Sequence, residues 1–211
     1  MIFLSDKLWF PPVETTTNDG VLAIGGDLSS ERLLLAYKSG IFPWYNQGEP
    51  IVWYSPCSRM VLFPDELKIS KSMKQILRKN EFKVTFNQNF NDVIRACKNI
   101  YREGQGGTWI TDEMEKAYIN LHELGYGKSV EVWYGNELVG GLYGVDLGTV
   151  FCGESMFSKI SNTSKIAFIY LVEKLKNENY SLIDCQIYTN HLASLGAKEI
   201  PRSKFLKYLK K

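Results

Sequence analysis

The pattern of this chain predicts an α+β fold in two parts, a small α+β unit over residues 1–65 and a larger domain over residues 66–211. Three observations carry that reading. The first 65 or so residues are rich in Pro, Gly and Trp and hold one clear helix. After them strands and helices follow one another regularly, in the order β-α-α-β-β-β-α-β. A hydrophobic content of 45% over 211 residues is enough for a sizeable packed core.

Each element has a local reason. Ser29 is placed to cap the first helix, with Leu33, Leu34 and Tyr37 as its buried side and Gly40 as its stop. GIFPWY (40–45), WYSP and a short MVLF strand lead to a basic segment, 68–79, whose five cations include no acidic neighbour. Wound at about 100° per residue, it puts Lys68, Lys71, Lys74 and Arg78 on one face and Ile69, Met73, Ile76 and Leu77 on the other. FKVTF (82–86) alternates as a strand, and Phe90, Val93, Ile94 and Cys97 recur with the helical period. Thr111 caps the next helix, with Asp112 and Glu113 in its first turn and Gly125 beyond its end.

Three strands begin at Ser129, Glu137 and Thr149, joined at Gly135-Asn136 and Asp146-Leu147-Gly148 as hairpins are. A helix over 163–177, the strand LIDCQI (182–187), a short helix ending near Gly196 and a last helix opening at Pro201 complete the chain. The stretch 198–211 is also basic, six cations against Glu199, which a phosphate contact and a frayed tail explain equally well. The order of the larger domain is that of the N-acetyltransferase-like (GNAT-type) acyltransferase fold. That likeness of topology sets an expectation of acyl transfer but names no substrate.

The four cysteines lie far apart and only two histidines are present, so neither a zinc site nor a disulfide framework is indicated; buried thiols are expected. No apolar run approaches the roughly 20 residues of a membrane span, and the start of the chain meets charge and proline too early for a signal peptide. A cytoplasmic protein with no membrane contact is expected. The net charge of +2 is too small to indicate nucleic acid by itself. The unmixed sign of the basic helix does indicate it, since a solvated face ordinarily carries both signs.

Chemistry concentrates in two strands. FCGESMFS (151–158) and LIDCQI place Glu154, Asp184 and Gln186 in apolar sequence, where an unpaired polar group is costly to bury. Strand alternation would put Cys152, Glu154 and Met156 on one side of the first, and Asp184 and Gln186 on one side of the second. Two polar pairs would then converge on one cleft. Where a coenzyme A pyrophosphate would need a glycine-rich turn, residues 158–167 read SKISNTSKIA, with no glycine. In the same stretch Asn162 is expected to cap the helix.

GIFPWY, GTWIT (107–111), HELGYGKSVEVW (122–133), ELVGGLYGV (137–145), FCGESMFS, IDCQ (183–186) and ASLGAKEIPR (193–202), in this order, resemble the bacterial leucyl/phenylalanyl-tRNA–protein transferase family. The resemblance implies an aminoacyltransferase that moves Leu or Phe, and less readily Met, from aminoacyl-tRNA to the α-amine of proteins beginning with Lys or Arg. The product is marked for N-degron proteolysis. No metal or organic cofactor is implied, and a monomer is expected.

On matching positions the resemblance assigns Asp184 and Gln186 as the catalytic polar pair and Glu154 as the other site carboxylate. The glutamine amide would contact the incoming amine and the aspartate would orient that amide. Glu154 and Asp184 would together make an anionic recess for the acceptor. Trp44 and Trp109 would hold the 3′-terminal adenosine by stacking. Leu142, Met156, Phe168 and Leu171 would line the aminoacyl pocket, with Met156 on the same strand face as Glu154. Lys71, Lys74 and Arg78 would meet tRNA phosphates. Trp9, Trp53 and Trp133 are assigned to the core and His122 to a structural role, while His191, beside the IDCQ strand, fits either a support of the site residues or a helix cap. The alternative is a CoA-dependent peptide or small-molecule N-acyltransferase of the same fold, which the missing glycine turn disfavours. A plain RNA-binding module would leave Glu154, Asp184 and Gln186 unexplained.

Overall fold

The computed structural model describes residues 2–100 and 109–210, so Gly107 and Thr108 of GTWIT lie outside the described residues. Two sheets form. The smaller has the order β1-β2-β4-β3, from β1 (Phe3–Leu4), β2 (Val21–Gly25), β3 (Phe42–Pro43) and β4 (Val52–Tyr54), with α1 (Ser30–Lys38) between β2 and β3. The larger has seven strands. They are β5 (Ser58–Leu62), β6 (Lys83–Phe86), β7 (Gly127–Tyr134), β8 (Glu137–Asp146), β9 (Val150–Ser158), β10 (Leu182–Asp184) and β11 (Lys198–Pro201), in the order β11-β5-β10-β9-β8-β7-β6.

Several helices open on side-chain caps. The Ser29 hydroxyl accepts the Arg32 amide at the start of α1. Ser70 does the same for Met73 at α2 (Lys71–Lys79), Thr111 for Met114 at α4 (Asp112–Glu123) and Thr189 for Leu192 at the short α6 (Asn190–Ser194). Gly40, at φ +73°, ends the run after α1. A Cβ there would lie 2.6 Å from Leu206 Cδ2, so glycine also lets α7 (Arg202–Leu209) approach.

Helices α3 (Phe90–Asn99) and α4 cover one face of the large sheet, and α5 (Thr163–Asn177) covers the other. The core divides accordingly. Phe90, Tyr118, Tyr143 and Phe157 belong to one cluster with Tyr37 and Trp53 of the small sheet's unit, and Leu142, Phe151, Phe168 and Leu171 belong to the other. The two units are therefore held by a shared apolar cluster.

Strand β9 pairs antiparallel with β8 and parallel with β10, the latter through the α5 crossover that a parallel pair requires. The parallel pairing covers only Val150–Cys152, whereas β9 runs on to Ser158. Beyond Asp184 the two strands part, and the notch between them is where the polar residues gather.

Several expectations are corrected. The strand β5, placed by sequence within residues 1–65, lies inside the large sheet between β11 and β10, because its apolar residues Met60, Val61 and Leu62 need cover on both faces. The short β11 is an additional strand that the sequence pattern does not announce. The basic stretch is ordered as β11 and the expected last helix, α7, which is anchored by fully buried Phe205. Lys68 and Ile69 precede α2, which opens only after the Ser70 cap. LIDCQI is a strand only as far as Asp184. Leu34 is half-buried, Trp9 and Cys57 are exposed, and Asn162 stands at the α5 cap position without a side-chain cap bond.

Candidate active site

Arg59 on β5 is the anchor of the site. A guanidinium on an apolar strand between two other strands cannot remain unpaired, and this one meets Asp184 on the adjacent β10. Nε donates to Oδ1 at 2.7 Å and Nη2 to Oδ2 at 2.6 Å, a bidentate pair in which the residues are 1% and 0% exposed. Nη1 donates to the Gly40 carbonyl at 3.3 Å, and the Phe42 and Phe205 rings lie 4.6 and 4.8 Å from the guanidinium carbon. Elements from both sheets and from the C-terminal helix thus converge on one cation.

Asp184 does more than neutralise Arg59. Its Oδ1 also accepts the backbone N–H of Gln186 at 3.0 Å. The Ile187 amide bonds back to the Cys185 carbonyl at 2.7 Å, and Met60 N donates to the Gln186 carbonyl at 3.1 Å. Together they hold Gln186 at φ +55°, a conformation that costs a non-glycine residue about 1–3 kcal/mol. The tight turn aims the glutamine side chain into the notch, where Nε2 donates to Glu154 Oε1 at 2.9 Å. The expected pair of Asp184 and Gln186 on one strand face does not form. The carboxylate stays under the notch, on Arg59, and the amide rises into it.

Glu154 is placed by a β-bulge. Tyr143 pairs with Ser155 and Gly144 with Gly153, so Glu154 is the extra residue on β9. The bulge breaks the alternation. Met156 faces Leu142 and the α5 cluster, while the Glu154 carboxyl turns toward the α4 side and accepts the Tyr118 hydroxyl at 3.0 Å. The expected shared face of Glu154 and Met156 is thereby corrected. Tyr118 in turn hydrogen-bonds Tyr37 of α1. Burial pushes the Glu154 carboxyl up to about 8, opposed by the tyrosine hydroxyls. Asp184 is enclosed, matched by Arg59 and does not line the cleft, so of the two carboxylates expected to form an anionic recess only Glu154 reaches it, and burial favours its neutral form.

Above this pair opens a cleft of about 710 Å³. Leu142, Met156, Phe168 and Leu171 line it. Phe151 and Ile183 join them; alternation alone does not separate these two from ordinary core. Trp44 and Trp109 line the same cleft, Trp44 being 44% exposed on the strand pairing that follows β3 and Trp109 half-buried. Lys71, Lys74 and Arg78 form an exposed stripe on α2 and do not line the cleft. Met73 holds the opposite side of that helix in the core.

Of the remaining aromatic residues, Trp53 is buried and Trp133 is half-buried, donating to Thr85 Oγ1 at 2.8 Å. His122 stacks on Phe90 at 4.4 Å and bonds the Gly127 carbonyl, a structural role. His191 lies on the cleft wall, where burial lowers its pKa. Among the described residues no group of three or more His, Cys, Asp and Glu is placed to hold a metal ion, and no helix is long and apolar enough to cross a membrane.

Sequence reasoning misses Arg59, Tyr37 and Tyr118. Arg59 carries a usable signal, a single cation beginning the apolar run SRMVLF. The tyrosines have none, being indistinguishable from core aromatics on their helices.

The apolar cleft ends on a carboxyl bonded to an amide, one carried on a bulge and the other on a positive-φ turn, within a mixed α/β fold. The chain belongs to the leucyl/phenylalanyl-tRNA protein transferase family: that family's model matches residues 61–210, and the model of its N-terminal domain matches residues 26–57. It is an aminoacyltransferase. It is 63% identical over 210 residues to the leucyl/phenylalanyl-tRNA–protein transferase of Flavobacterium johnsoniae, covering 100% of this chain and 99% of the relative. It is 61% identical to that of Flavobacterium psychrophilum, covering 100% of both chains. It is 59% identical to that of Syntrophus aciditrophicus, covering 99% of this chain and 87% of the relative.

The raised Glu154 pKa makes a prediction for stability. Between its unfolded value of 4.5 and about 8 the folded protein binds more protons than the unfolded chain, so stability falls as pH rises through that window and levels off above it. Glu154→Gln removes this contribution. Urea denaturation from pH 5 to 8.5 should show wild type losing stability relative to the variant; a constant difference would mean Glu154 titrates normally.

Proposed function

We propose that this protein transfers Leu or Phe, and less readily Met, from aminoacyl-tRNA to the α-amine of proteins beginning with Lys or Arg, marking them for N-degron proteolysis. The observation that carries the reading is the apolar cleft that ends at Gln186 and Glu154 and has two indoles in its walls. The amino-acid side chain enters between Leu142, Met156, Phe168 and Leu171. The terminal adenosine stacks on Trp44 and Trp109, each contact being worth about 1–3 kcal/mol. The ester carbonyl is then left beside Gln186.

In the transfer step the acceptor nitrogen attacks the ester carbonyl carbon. The new C–N bond forms, the C–O bond to the ribose breaks, the amine gives up a proton and the ribose oxygen takes one. Alignment supplies the larger share of the rate, about 7–11 kcal/mol, against about 10²–10⁴-fold for general-base help. Gln186 Nε2 is held by Glu154, which leaves the amide oxygen to orient the amine. The acceptor amine titrates near 7.7–8.0, so roughly 10–20% of it is unprotonated at pH 7, and the proton it releases on attack passes to the departing ribose oxygen. Asp184 and Arg59 act through Gln186, by fixing its turn. No cofactor enters this scheme.

The sheet order, with β9 and β10 parallel and splayed around the α5 crossover, supports a GNAT-type fold for the larger domain. The CoA alternative finds no glycine turn at the start of α5, where Thr163 instead donates to the Val139 carbonyl at 2.9 Å. We assign the protein to the cytoplasm as a monomer. Lys71, Lys74 and Arg78 on α2 are proposed to meet tRNA phosphates away from the cleft.

Incubation with radiolabelled Phe-tRNA and matched proteins beginning with Arg or Met tests the main claim. Label should enter only the Arg protein, and Gln186→Ala should lower kcat/KM by about tenfold or more, that is by about 1.4 kcal/mol or more, with unchanged circular dichroism. Label entering both proteins, or a fully active variant, would refute the assignment.

For the basic helix, alanine at Lys71, Lys74 and Arg78 together should flatten the salt dependence of tRNA binding, by about 0.7–0.9 in log–log slope for each phosphate that is no longer neutralised. A minimal aminoacyl-adenosine donor should be used as before. Equal damage with both donors would show that the stripe is a solvated face whose removal disturbs the fold.

A further inference from the structure

Behind the apolar cleft lies a second cavity of about 240 Å³, between the C-terminal half of α5 and the ends of β6, β7 and β8. Two residues line both cavities, Phe151 from the sheet and Leu171 from the helix. Along α5 the front cleft takes Ser164, Phe168 and Leu171, and the rear cavity takes Leu171, Lys174, Leu175 and Glu178. These positions fall on a single stripe at three- and four-residue spacing, so one helix face roofs both spaces.

The partition on the sheet side is a side chain lying across a glycine. A Cβ built on Gly144 would be 2.6 Å from Phe151 Cε1 and 2.7 Å from Cζ, so that edge of the ring occupies the space the missing side chain leaves. Phe151 is 1% exposed and Leu171 4% exposed. Removing either side chain would join two existing cavities instead of cutting into packed core. Both carboxylates at the rear space are already matched: Tyr180 donates to Asp146 Oδ1 at 2.8 Å, and Lys174 pairs with Glu178. An entering ring would therefore strand neither carboxylate. An engineered cavity of about 150 Å³ holds a benzene ring, so the rear space has room for one more aryl group.

We propose that Phe151 and Leu171 are the floor of the donor pocket and set the length of amino-acid side chain it takes, and that the rear cavity is a ready extension for linear aryl side chains. The proposal rests on the donor reading above.

The experiment compares tRNA charged with Phe and tRNA charged with 4-phenylphenylalanine, using an acceptor that begins with Arg. Wild type should use Phe and use the biphenyl donor poorly. Phe151→Ala and Leu171→Ala should each raise the ratio of biphenyl to Phe kcat/KM by about tenfold or more. Phe151→Leu, a milder change, should shift the ratio in the same direction if the alanine variant does not fold. Leu175 lines only the rear cavity, so adding Leu175→Phe to the opened floor should cancel the gain. An unchanged ratio in folded variants, or a gain that survives Leu175→Phe, would overturn the proposal. A wild type that transfers no Phe would overturn the donor reading and this proposal with it.

Discussion

The bidentate contact between Arg59 and Asp184 is the constraint on which the site depends. Two charges of opposite sign are removed from water in the middle of a sheet, a costly arrangement unless every polar atom is matched. Here the match is nearly complete. Asp184 accepts three donors, and Arg59 meets a carboxylate, a backbone carbonyl and two aromatic faces. Because Gly40, Phe42 and Phe205 come from the small unit and the C-terminal helix, the same cation ties those parts to the strand that carries Asp184. Hydrophobic packing of β5 and β10 would tolerate a smaller apolar pair there. What such a pair would lack is the acceptor for the Gln186 amide.

The notch follows from three departures from regular structure. Strand β10 stops at Asp184, a glutamine takes a positive φ, and β9 carries an extra residue at Glu154. Each is unfavourable alone. In combination they bring an amide and a carboxyl to 2.9 Å at the end of an apolar cleft. The chain Tyr37–Tyr118–Glu154–Gln186 then runs from the small unit into the large sheet. The notch is thus connected by hydrogen bonds to the contact between the two units.

Much of this is legible in the sequence because the fold obeys local rules. Ser29, Thr111 and Gly40 mark helix ends by their chemistry, and the hairpins of β7 to β9 follow from turn residues. The four apolar pocket positions are assigned by resemblance and do share one cleft. What stays hidden depends on long-range pairing. The strand period puts Met156 beside Glu154, and only the register against β8 reveals the bulge that separates them. LIDCQI reads as one continuous strand, and nothing local announces a turn at Gln186 that is held by Asp184 and Met60. Arg59 escapes a local reading because its partner lies 125 positions away in sequence.

Asp184 acts in this scheme as a positioning residue that never meets substrate, and one comparison tests this directly. Asn at position 184 keeps an oxygen to accept the Gln186 amide but cannot take up a proton as a carboxylate does. Measured with Phe-tRNA and an Arg acceptor on folded protein, Asp184→Asn should keep kcat/KM within about tenfold of wild type, whereas Asp184→Ala should fall by about a hundredfold or more, roughly 2.7 kcal/mol. An asparagine variant that folds normally and is as inactive as the alanine variant would contradict the positioning role and place the Asp184 charge in the reaction itself.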